Sequence, residues 1–261
     1  MASWPSRIVE SFAPVGLAQL DAGAALRDRI DVKYVIPLAA FAALAGRLMD
    51  THAALEIDGR RAFGYRSTYF DTPELAAYRA HLQGRRRRYK CRSREYVDSG
   101  ACAFEVKQKG LRGRTVKHRM PHDGHELSEA AIAFLREHLG REPGGPLAPA
   151  LAVTYSRVTL VAAGERLTCD FDLAFEGPGG AGGRLDAGAA IVESKSLRGN
   201  ALADRALREL GHRPETACSK YCLGVALTRA VAANPLRPLL RRHFRAGTDV
   251  PSSPTNGNSA G

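Results

Sequence analysis

Charged side chains alternate along several strand-like segments in a pattern that could bind an anion. Side chains two residues apart in a strand share a face, so Lys90, Arg92 and Arg94 point together within residues 87–97. Five other segments repeat the pattern, so that six strands each carry an ionic face. The groups that share a face there are Glu105 with Lys107 and Lys109, Lys117 with Arg119, Tyr155 with Arg157, Arg166 with Asp170 and Asp172, and Glu193 with Lys195.

The opposite faces of these strands carry apolar residues that need a core, among them Phe104, Val106, Val158, Leu167 and Phe171. Because the apolar faces pack together on one side of the sheet, the ionic faces lie together on the other side. If the strands close into a barrel, two unit charges about 6 Å apart in its interior repel by roughly 3 kcal/mol at an effective dielectric of 20. Such an interior requires an anion. For any single strand, the solvent face of an ordinary antiparallel sheet is the alternative.

One segment supplies nearly all of the net charge. The chain has 38 Lys and Arg residues and 27 Asp and Glu residues, a net charge of +11. Residues 85–119 hold 13 of those cations against 3 carboxylates, a local excess of +10. Nucleic-acid surfaces interleave exposed aromatics with basic residues, but aromatics make up only 7% of this chain and few lie on its cationic faces. We therefore expect a polyanion without bases and no specific nucleic acid.

Turn residues and hydrophobic spacing predict the elements that position these faces. Residues 98–100 and 110–113 are typical of hairpin turns between strands at 87–97, 101–110 and 114–120. Many antiparallel strands with helices at their ends predict an α+β fold, a closed antiparallel β-barrel with flanking helices. Further strands are predicted at 29–36, 65–70, 151–161, 165–175 and 189–197, and helices at 37–50, 73–84, 128–139, 200–210 and 218–233.

Length and composition exclude several classes of protein. Residues 37–46, one of the longest charge-free apolar stretches, are far shorter than the roughly 18 to 20 residues of a bilayer span, so we expect no membrane span. Pro5, Arg7 and Glu10 interrupt any secretory signal, and we expect a cytoplasmic protein. Five cysteines without a Cys-x-x-Cys pair predict buried reduced thiols rather than zinc.

Nine short segments together carry a family resemblance. They are RIDVKYVI (29–36), YRSTYFDTPELAAYRAHLQG (65–84), YKCRSREY (89–96), FEVKQKG (104–110), VKHRM (116–120), VTYSRVTL (153–160), RLTCDFDL (166–173), IVESKS (191–196) and CSKYCLG (218–224). In order and spacing they resemble the VTC domain, the polyphosphate polymerase module of the vacuolar transporter chaperone complex, one of the triphosphate tunnel metalloenzymes. The resemblance implies an N-terminal segment at 1–26 and a tunnel domain at 27–235, while the small, polar composition of 246–261 predicts a disordered tail.

The resemblance implies a basic tunnel that binds a triphosphate or polyphosphate together with a divalent metal, Mn²⁺ or Mg²⁺. Glu193 matches the metal ligand of the family. Asp170 is kept as a second candidate ligand, although it could equally be structural. The residues that match the tunnel cations are Lys33, Arg92, Arg94, Lys107, Lys117, Arg157 and Arg166.

Further substrate contacts are implied around these cations. Tyr155 matches a phosphate-contacting tyrosine, and Ser219 and Lys220 match a Ser-Lys pair at the start of a helix, where free backbone N–H groups suit phosphate. Arg119 and Lys195 share ionic faces with the matched residues and are expected to contact the substrate as well.

The resemblance implies a polyphosphate polymerase that moves the terminal phosphoryl of ATP to a growing chain. Two alternatives stay open: a metal-dependent tripolyphosphatase or nucleoside triphosphatase of the same fold, and a non-catalytic module that binds polyphosphate. The Ser-Lys and Tyr-x-Arg motifs favour the polymerase. Members of the superfamily often carry Glu-x-Glu-x-Lys where this chain has Arg29, Asp31 and Lys33, so a second metal or a hydrolytic water is less well supported. The sequence shows no SPX domain, and we expect a stand-alone enzyme.

Overall fold

A long, mostly antiparallel sheet organises the chain in a computed structural model that describes residues 7–23, 30–109 and 115–247. The strands are β1 (Ala13–Val15), β2 (Ile30–Pro37), β3 (Ala53–Leu55), β4 (Ala62–Asp71), β5 (Arg88–Tyr96), β6 (Ala101–Lys109), β7 (Thr115–Pro121), β8 (Ala148–Ala162), β9 (Glu165–Glu176), β10 (Gly182–Leu185), β11 (Ala189–Ser196) and β12 (Phe244–Ala246). The helices are α1 (Leu17–Gly23), α2 (Leu38–Leu48), α3 (Ala76–Leu82), α4 (Glu129–Leu139), α5 (Leu202–Glu209), α6 (Lys220–Thr228) and α7 (Arg237–His243).

The strands that carry the ionic faces form one continuous path through the sheet. Its order is β2, β11, β9, β8, β4, β5, β6 and β7, with every neighbouring pair antiparallel. β3 extends the pairing of β8, and β1 lies parallel to β3. β10 continues along β9, and β12 pairs with β10. The predicted α+β class with a large antiparallel sheet is therefore confirmed.

A side-chain contact, not a backbone ladder, links β2 at one end of this path with β6 near the other. In the described ranges, β2 pairs only with β11 and β7 pairs only with β6, so no ladder joins β2 to β7. The sheet curves until Nζ of Lys107 on β6 lies 3.4 Å from Oδ2 of Asp31 on β2. The described residues thus record no backbone ladder that closes the sheet into the expected barrel.

Apolar side chains cover the outer face of the sheet, as their alternation predicts. Helix α2 begins after Pro37 and buries Phe41, Leu44 and Leu48 at three- and four-residue spacing. These side chains pack with Leu167 and other outward residues of β8 and β9, and α5 completes this layer. On the other half of the sheet, α4 packs against β5 and β6 around Phe104. Every predicted ionic face is therefore turned away from these helices.

Helix α6 packs its apolar residues into one end of the curved sheet. Tyr221, Leu223 and Val225 lie in a buried cluster with Tyr155 on β8 and Leu173 on β9. Gly224 is required for this approach, because a Cβ there would overlap Leu151 and Phe175. The interior is thus apolar beside the body of α6 and ionic beside its first turn.

Three local predictions differ from the structure. Asp172 has a positive φ of 53° at a register shift between β8 and β9, and its side chain is exposed. Leu173 takes the interior position instead, so Asp170 and Asp172 do not share a face. The predicted helix 218–233 ends at Thr228, because Arg229 is extended. Ala246 ends β12, whereas residues 248–261 of the predicted tail and the predicted turn at 110–113 lie outside the described residues.

Candidate functional site

The interior face of the curved sheet gathers cations from seven strands and from the start of α6. They outnumber the carboxylates there, so the interior carries an excess of positive charge that an anion would neutralise. Every tunnel cation implied by the resemblance belongs to the described residues. The interior cations are Lys33, Lys90, Arg92, Arg94, Lys107, Lys117, Arg157, Arg166, Lys195 and Lys220, and the carboxylates are Asp31, Glu105, Asp170 and Glu193.

Glu105 organises the cations of β5 and β7. Its side chain is only 2% exposed, and it accepts hydrogen bonds from Nε of Arg92 at 2.8 Å and from Lys117. Arg94 lies 3.9 Å away. Burial would raise the pKa of Glu105, but Arg92, Arg94 and Lys117 hold it well below its usual range. Glu105 therefore remains ionised and fixes the direction in which Arg92 points.

Asp170 plays the same part for β8 and α6. It is fully buried, and its Oδ2 accepts a hydrogen bond from Nη2 of Arg157 at 2.8 Å and one from Lys220. Its Oδ1 accepts from Nε of Arg157. Against the effect of burial, Arg157 and Lys220 lower the pKa of Asp170. An arginine has five N–H donors, so Arg157 keeps others that can reach a substrate.

Tyrosine rings support these arginines from β4 and β8. Tyr65 and Tyr155 stack with ring centroids 5.1 Å apart, and Arg157 lies over both rings at 5.2 and 5.3 Å. Nη2 of Arg94 donates to the Tyr155 hydroxyl at 3.0 Å. Burial opposes its ionisation, but Arg94 and Arg157 bring the pKa of Tyr155 below its usual value. Tyr155 thus lies among cations, as the match to a phosphate-contacting tyrosine implies.

Glu193 lies on β11 between interior lysines. Its Oε2 is 3.2 Å from Nζ of Lys195, and Lys33 is its register partner on β2. Burial would raise the pKa of Glu193, yet Lys195, Lys33 and Lys107 keep it well below its usual range. Its neighbour Lys33 also donates from Nζ to the backbone carbonyl of Cys218 at 3.1 Å. Glu193 is therefore an ionised carboxylate at the centre of a cationic surface.

One end of the interior opens into a cavity of about 520 Å³. Lys33, Lys90 and Lys107 line it together with Ser219, the N-cap of α6. Nζ of Lys90 donates to Oγ of Ser219 at 3.0 Å. Burial, with smaller effects from Lys33, Lys107 and Arg92, lowers the pKa of Lys90 to about 7. The cavity therefore connects solvent with the first turn of α6 and the interior cations.

We expect the affinity for tripolyphosphate to fall as the pH rises above about 7, because Lys90 loses its proton there and a bound anion favours the protonated form. Lys90→Arg keeps a positive charge at every pH, so its affinity should fall less over the same range. Calorimetric titration measures the affinity of both proteins from pH 6 to 9. The ionisation of the ligand affects both proteins equally, so it cancels when their pH profiles are compared. Parallel pH profiles would show that Lys90 does not titrate at this site.

The remaining substrate contacts expected from the sequence lie at the edges of the cluster. Arg166 is the register partner of Lys195, which is 8% exposed. Arg119 is exposed and lies 5.1 Å from the centroid of the Tyr96 ring. Arg119 is the register partner of Glu105 on β6, and it lies on the exposed edge strand β7.

Four residues in this arrangement were not expected from the sequence to take part in the site. Glu105 and Lys90 were visible only as members of ionic faces, since alternation shows which face a residue occupies but not its partners. Tyr65 and Tyr69 carried no such signal. Tyr69 accepts a hydrogen bond from Nη1 of Arg92 at 2.7 Å, so it fixes this arginine together with Glu105.

The interior carboxylates offer limited ligands for a divalent cation. No group of three or more His, Cys, Asp or Glu side chains suited to a metal occurs in the part of the chain that the structure describes. Magnesium in phosphoryl-transfer sites is held by one or two carboxylates and by substrate phosphates. Glu193 fits that arrangement. Asp170 fits it less well, because both of its oxygens accept hydrogen bonds from Arg157 or Lys220.

Several solved structures are similar to this chain at low identity. The HpAC1 protein from Hippeastrum, described as having a dominant triphosphatase activity, is 15% identical with a TM-score of 0.48 over 77% of this chain and 97% of its own. The PH1819 protein from Pyrococcus horikoshii is 13% identical with a TM-score of 0.44 over 75% and 97% of the two chains. No curated protein matches.

Two further findings bear on the class of protein. Within the described residues, every helix falls short of the length and apolar character needed to cross a membrane. The family comparison matches the VTC domain over residues 28–229, a range that begins just before β2 and ends just after α6 and so contains every interior residue described above. The chain belongs to the VTC domain family.

Proposed function

We propose that this chain is a polyphosphate polymerase that transfers the terminal phosphoryl of ATP to the end of a polyphosphate chain. The observation that carries the proposal is the convergence of cations from β2, β5, β6, β7, β8, β9 and β11 on one interior surface. Membership of the VTC domain family supports the same substrate class. ATP and polyphosphate are then the two partners of the site.

The interior carboxylates are poorly suited to act as the general base of hydrolysis. In the transfer, a terminal oxygen of the chain forms a bond to the γ-phosphorus of ATP while the bond to the bridging oxygen breaks and ADP leaves. The attacking terminal oxygen of the polyphosphate chain is already anionic, so no base is needed. Hydrolysis needs a water molecule that gives up a proton, and a good general base has a pKa near the working pH. Glu105, Asp170 and Glu193 all have pKa values below their usual range.

The side chains contribute charge neutralisation and position. Phosphoryl transfer depends on in-line placement of the reacting groups and on neutralisation of the phosphate oxygens. Arg92 and Arg157 can grip oxygens in a bidentate manner, and Glu105 and Asp170 hold them in place. Lys220 and the free N–H groups of the first turn of α6 add further positive charge at the start of this helix.

A divalent cation, Mn²⁺ or Mg²⁺, completes the proposal, with Glu193 as its protein ligand and substrate phosphates as the others. When bound, it would supply further neutralisation of the phosphoryl oxygens. We assign Asp170 to the positioning of Arg157 and Lys220 rather than to metal binding, because both of its oxygens already accept hydrogen bonds. The separate roles predict that Glu193, not Asp170, controls the metal dependence.

Tripolyphosphate should stabilise the protein against heat, because it relieves repulsion among the interior cations. A ligand at about 100-fold excess over its Kd adds roughly 2.7 kcal/mol, which corresponds to a rise in Tm of about 5 to 10 °C for a domain of this size. Sulfate at equal ionic strength should give a smaller shift, and Lys33→Ala with Arg157→Ala should reduce the effect. A shift of equal size with duplex DNA, which is too wide for the interior, would mean that the charge lies on an open face.

The product formed from ATP tests the proposed function. Purified protein is incubated with ATP and Mn²⁺, and the products are separated by length. We expect ADP and long polyphosphate in place of free phosphate. Free phosphate with ADP would identify a hydrolase of the same fold, and no turnover together with tight polyphosphate binding would identify a binding module.

A further inference from the structure

An arginine-rich loop lies at the rim of the cavity described above. His81 and Leu82 at the end of α3 line the cavity, and so do Arg88 and Lys90 at the start of β5. Residues 83–87 join these two elements, so the loop must run along the rim. Arg88 donates from Nη1 to the backbone carbonyl of Arg85 at 2.6 Å, which holds the loop against the cavity lining.

The cavity beneath the loop is strongly cationic. Arg88, Lys90, Lys107 and Lys109 line it alongside Lys33, whereas its carboxylates are Asp31 and Glu215. This positive charge also affects a residue that lines the cavity. Burial together with Lys90 and Arg88 lowers the pKa of His81 to about 3. An anion that leaves the interior at this end therefore meets positive charge up to the rim.

The loop arginines have no acidic partner in the described part of the protein. Arg85, Arg86 and Arg87 are exposed, and no described carboxylate forms an ion pair with any of them. In contrast, Arg47 pairs with Glu209 at 2.6 Å on the outer helices. The charge of the loop is thus not neutralised within the described part of the protein.

We propose that Arg85, Arg86 and Arg87 form an outer binding site for long-chain polyphosphate, which holds the stretch of chain that extends beyond the cavity. The site rests on the proposed function, because it is continuous with the interior that would take the reacting end. Three residues span at most about 10 Å along the rim, and guanidinium groups bind phosphate oxygens in a bidentate manner. Tripolyphosphate, which the interior cations hold, would not need the loop.

The chemistry of the loop favours polyphosphate over single-stranded RNA. Residues 83–87 contain no aromatic side chain, and the next aromatic residue, Tyr89, is buried. Proteins that bind single strands stack the bases on exposed aromatics. A chain of phosphates offers charge without bases, which matches a surface of guanidinium groups alone.

Direct binding tests the outer site without turnover. The double variant Arg86→Ala/Arg87→Ala is compared with wild type and with Arg47→Ala/Arg205→Ala, which removes two exposed arginines from α2 and α5. The probes are long-chain polyphosphate, tripolyphosphate and single-stranded RNA in the absence of ATP. We expect the loop variant to bind long polyphosphate about five- to tenfold more weakly and to lower the slope of log K against log salt by about 1.5. Its affinity for tripolyphosphate should stay within about twofold of wild type.

The control variant should bind all three probes as wild type does. Unchanged affinity of the loop variant for long polyphosphate, or an equal loss for tripolyphosphate, would overturn the outer site. So would RNA binding that is tighter than polyphosphate binding and equally dependent on the loop. These readings do not need catalysis, so they remain separate from the product test of the proposed function. With ATP present, the loop variant should form shorter chains than wild type, whereas wild-type chain lengths would contradict a holding role.

Discussion

Glu193→Gln should abolish phosphoryl transfer while the fold is retained. The substitution keeps the shape and hydrogen-bonding capacity of the side chain but removes the charge that holds a hard divalent cation. Lys195 and Lys33 would then lose the carboxylate that lies between them, and the interior would bind phosphate without placing a metal. ADP release under saturating ATP and Mn²⁺ measures the effect, and residual activity should be below about a tenth of wild type, a barrier increase of more than ~1.4 kcal/mol.

Two further variants make this test specific. Glu209→Gln removes an exposed carboxylate that pairs with Arg47 on the outer helices and should leave activity unchanged. Asp170→Asn should weaken the binding of tripolyphosphate, because Arg157 and Lys220 lose their common acceptor, without changing the concentration of Mn²⁺ needed for half-maximal activity. A Glu193→Gln variant with more than a tenth of wild-type activity would remove Glu193 from the proposed mechanism.

Arg92→Ala should reduce transfer by about 100-fold or more, the usual cost of losing one pre-positioned donor to a developing charge. Arg92 is held by Glu105 and by the Tyr69 hydroxyl, so its remaining N–H groups point in a fixed direction. Initial rates at saturating ATP measure the loss. Arg92→Lys should recover only part of it, because an ammonium keeps the charge but not the fork. The variant Arg47→Ala/Arg205→Ala, which removes two exposed arginines from α2 and α5, serves as the control with a wild-type initial rate.

Arg92→Ala also leaves Glu105 with Lys117 and Arg94 as its partners, so the buried carboxylate is less well compensated and the variant should be less stable. The double variant Arg92→Ala/Glu105→Gln removes that charge and should regain thermal stability without regaining activity. Recovery of both stability and activity in the double variant would mean that Arg92 only neutralises Glu105. In that case Arg92 would have no direct role with the substrate.

Much of the architecture follows from alternation and turn residues. The three-strand unit β5–β6–β7 lies within a residue or two of its expected bounds, because two-residue periodicity and an Asp-Ser-Gly turn are local signals. The ionic faces do converge, since the opposite faces supply the core under α2, α4 and α5. The short strands β1, β3, β10 and β12 were not expected, because three or four residues are too few to show a period.

The details of the site depend on contacts between distant segments, which a single sequence does not reveal. The irregular backbone at Asp172 exchanges the residue that faces the interior, and nothing in the sequence of β9 marks the register shift. Glu105 was visible as a charge among lysines, but its role in holding Arg92 depends on β5 lying beside β6. The contact between Lys107 on β6 and Asp31 on β2 likewise depends on curvature across the whole sheet.

The most direct test of the interior anion site is a crystal structure of the protein with tripolyphosphate bound. We expect the phosphates on the inner face of the sheet, with their oxygens about 3 Å from donors of Arg92, Lys107 and Arg157. Glu105 and Asp170 should keep their hydrogen bonds to Arg92 and Arg157, because these carboxylates position the arginines and do not compete with the phosphates for them. A tripolyphosphate bound only at the rim or on the outer face, with the interior empty of phosphate, would contradict the assignment of this surface as the catalytic site.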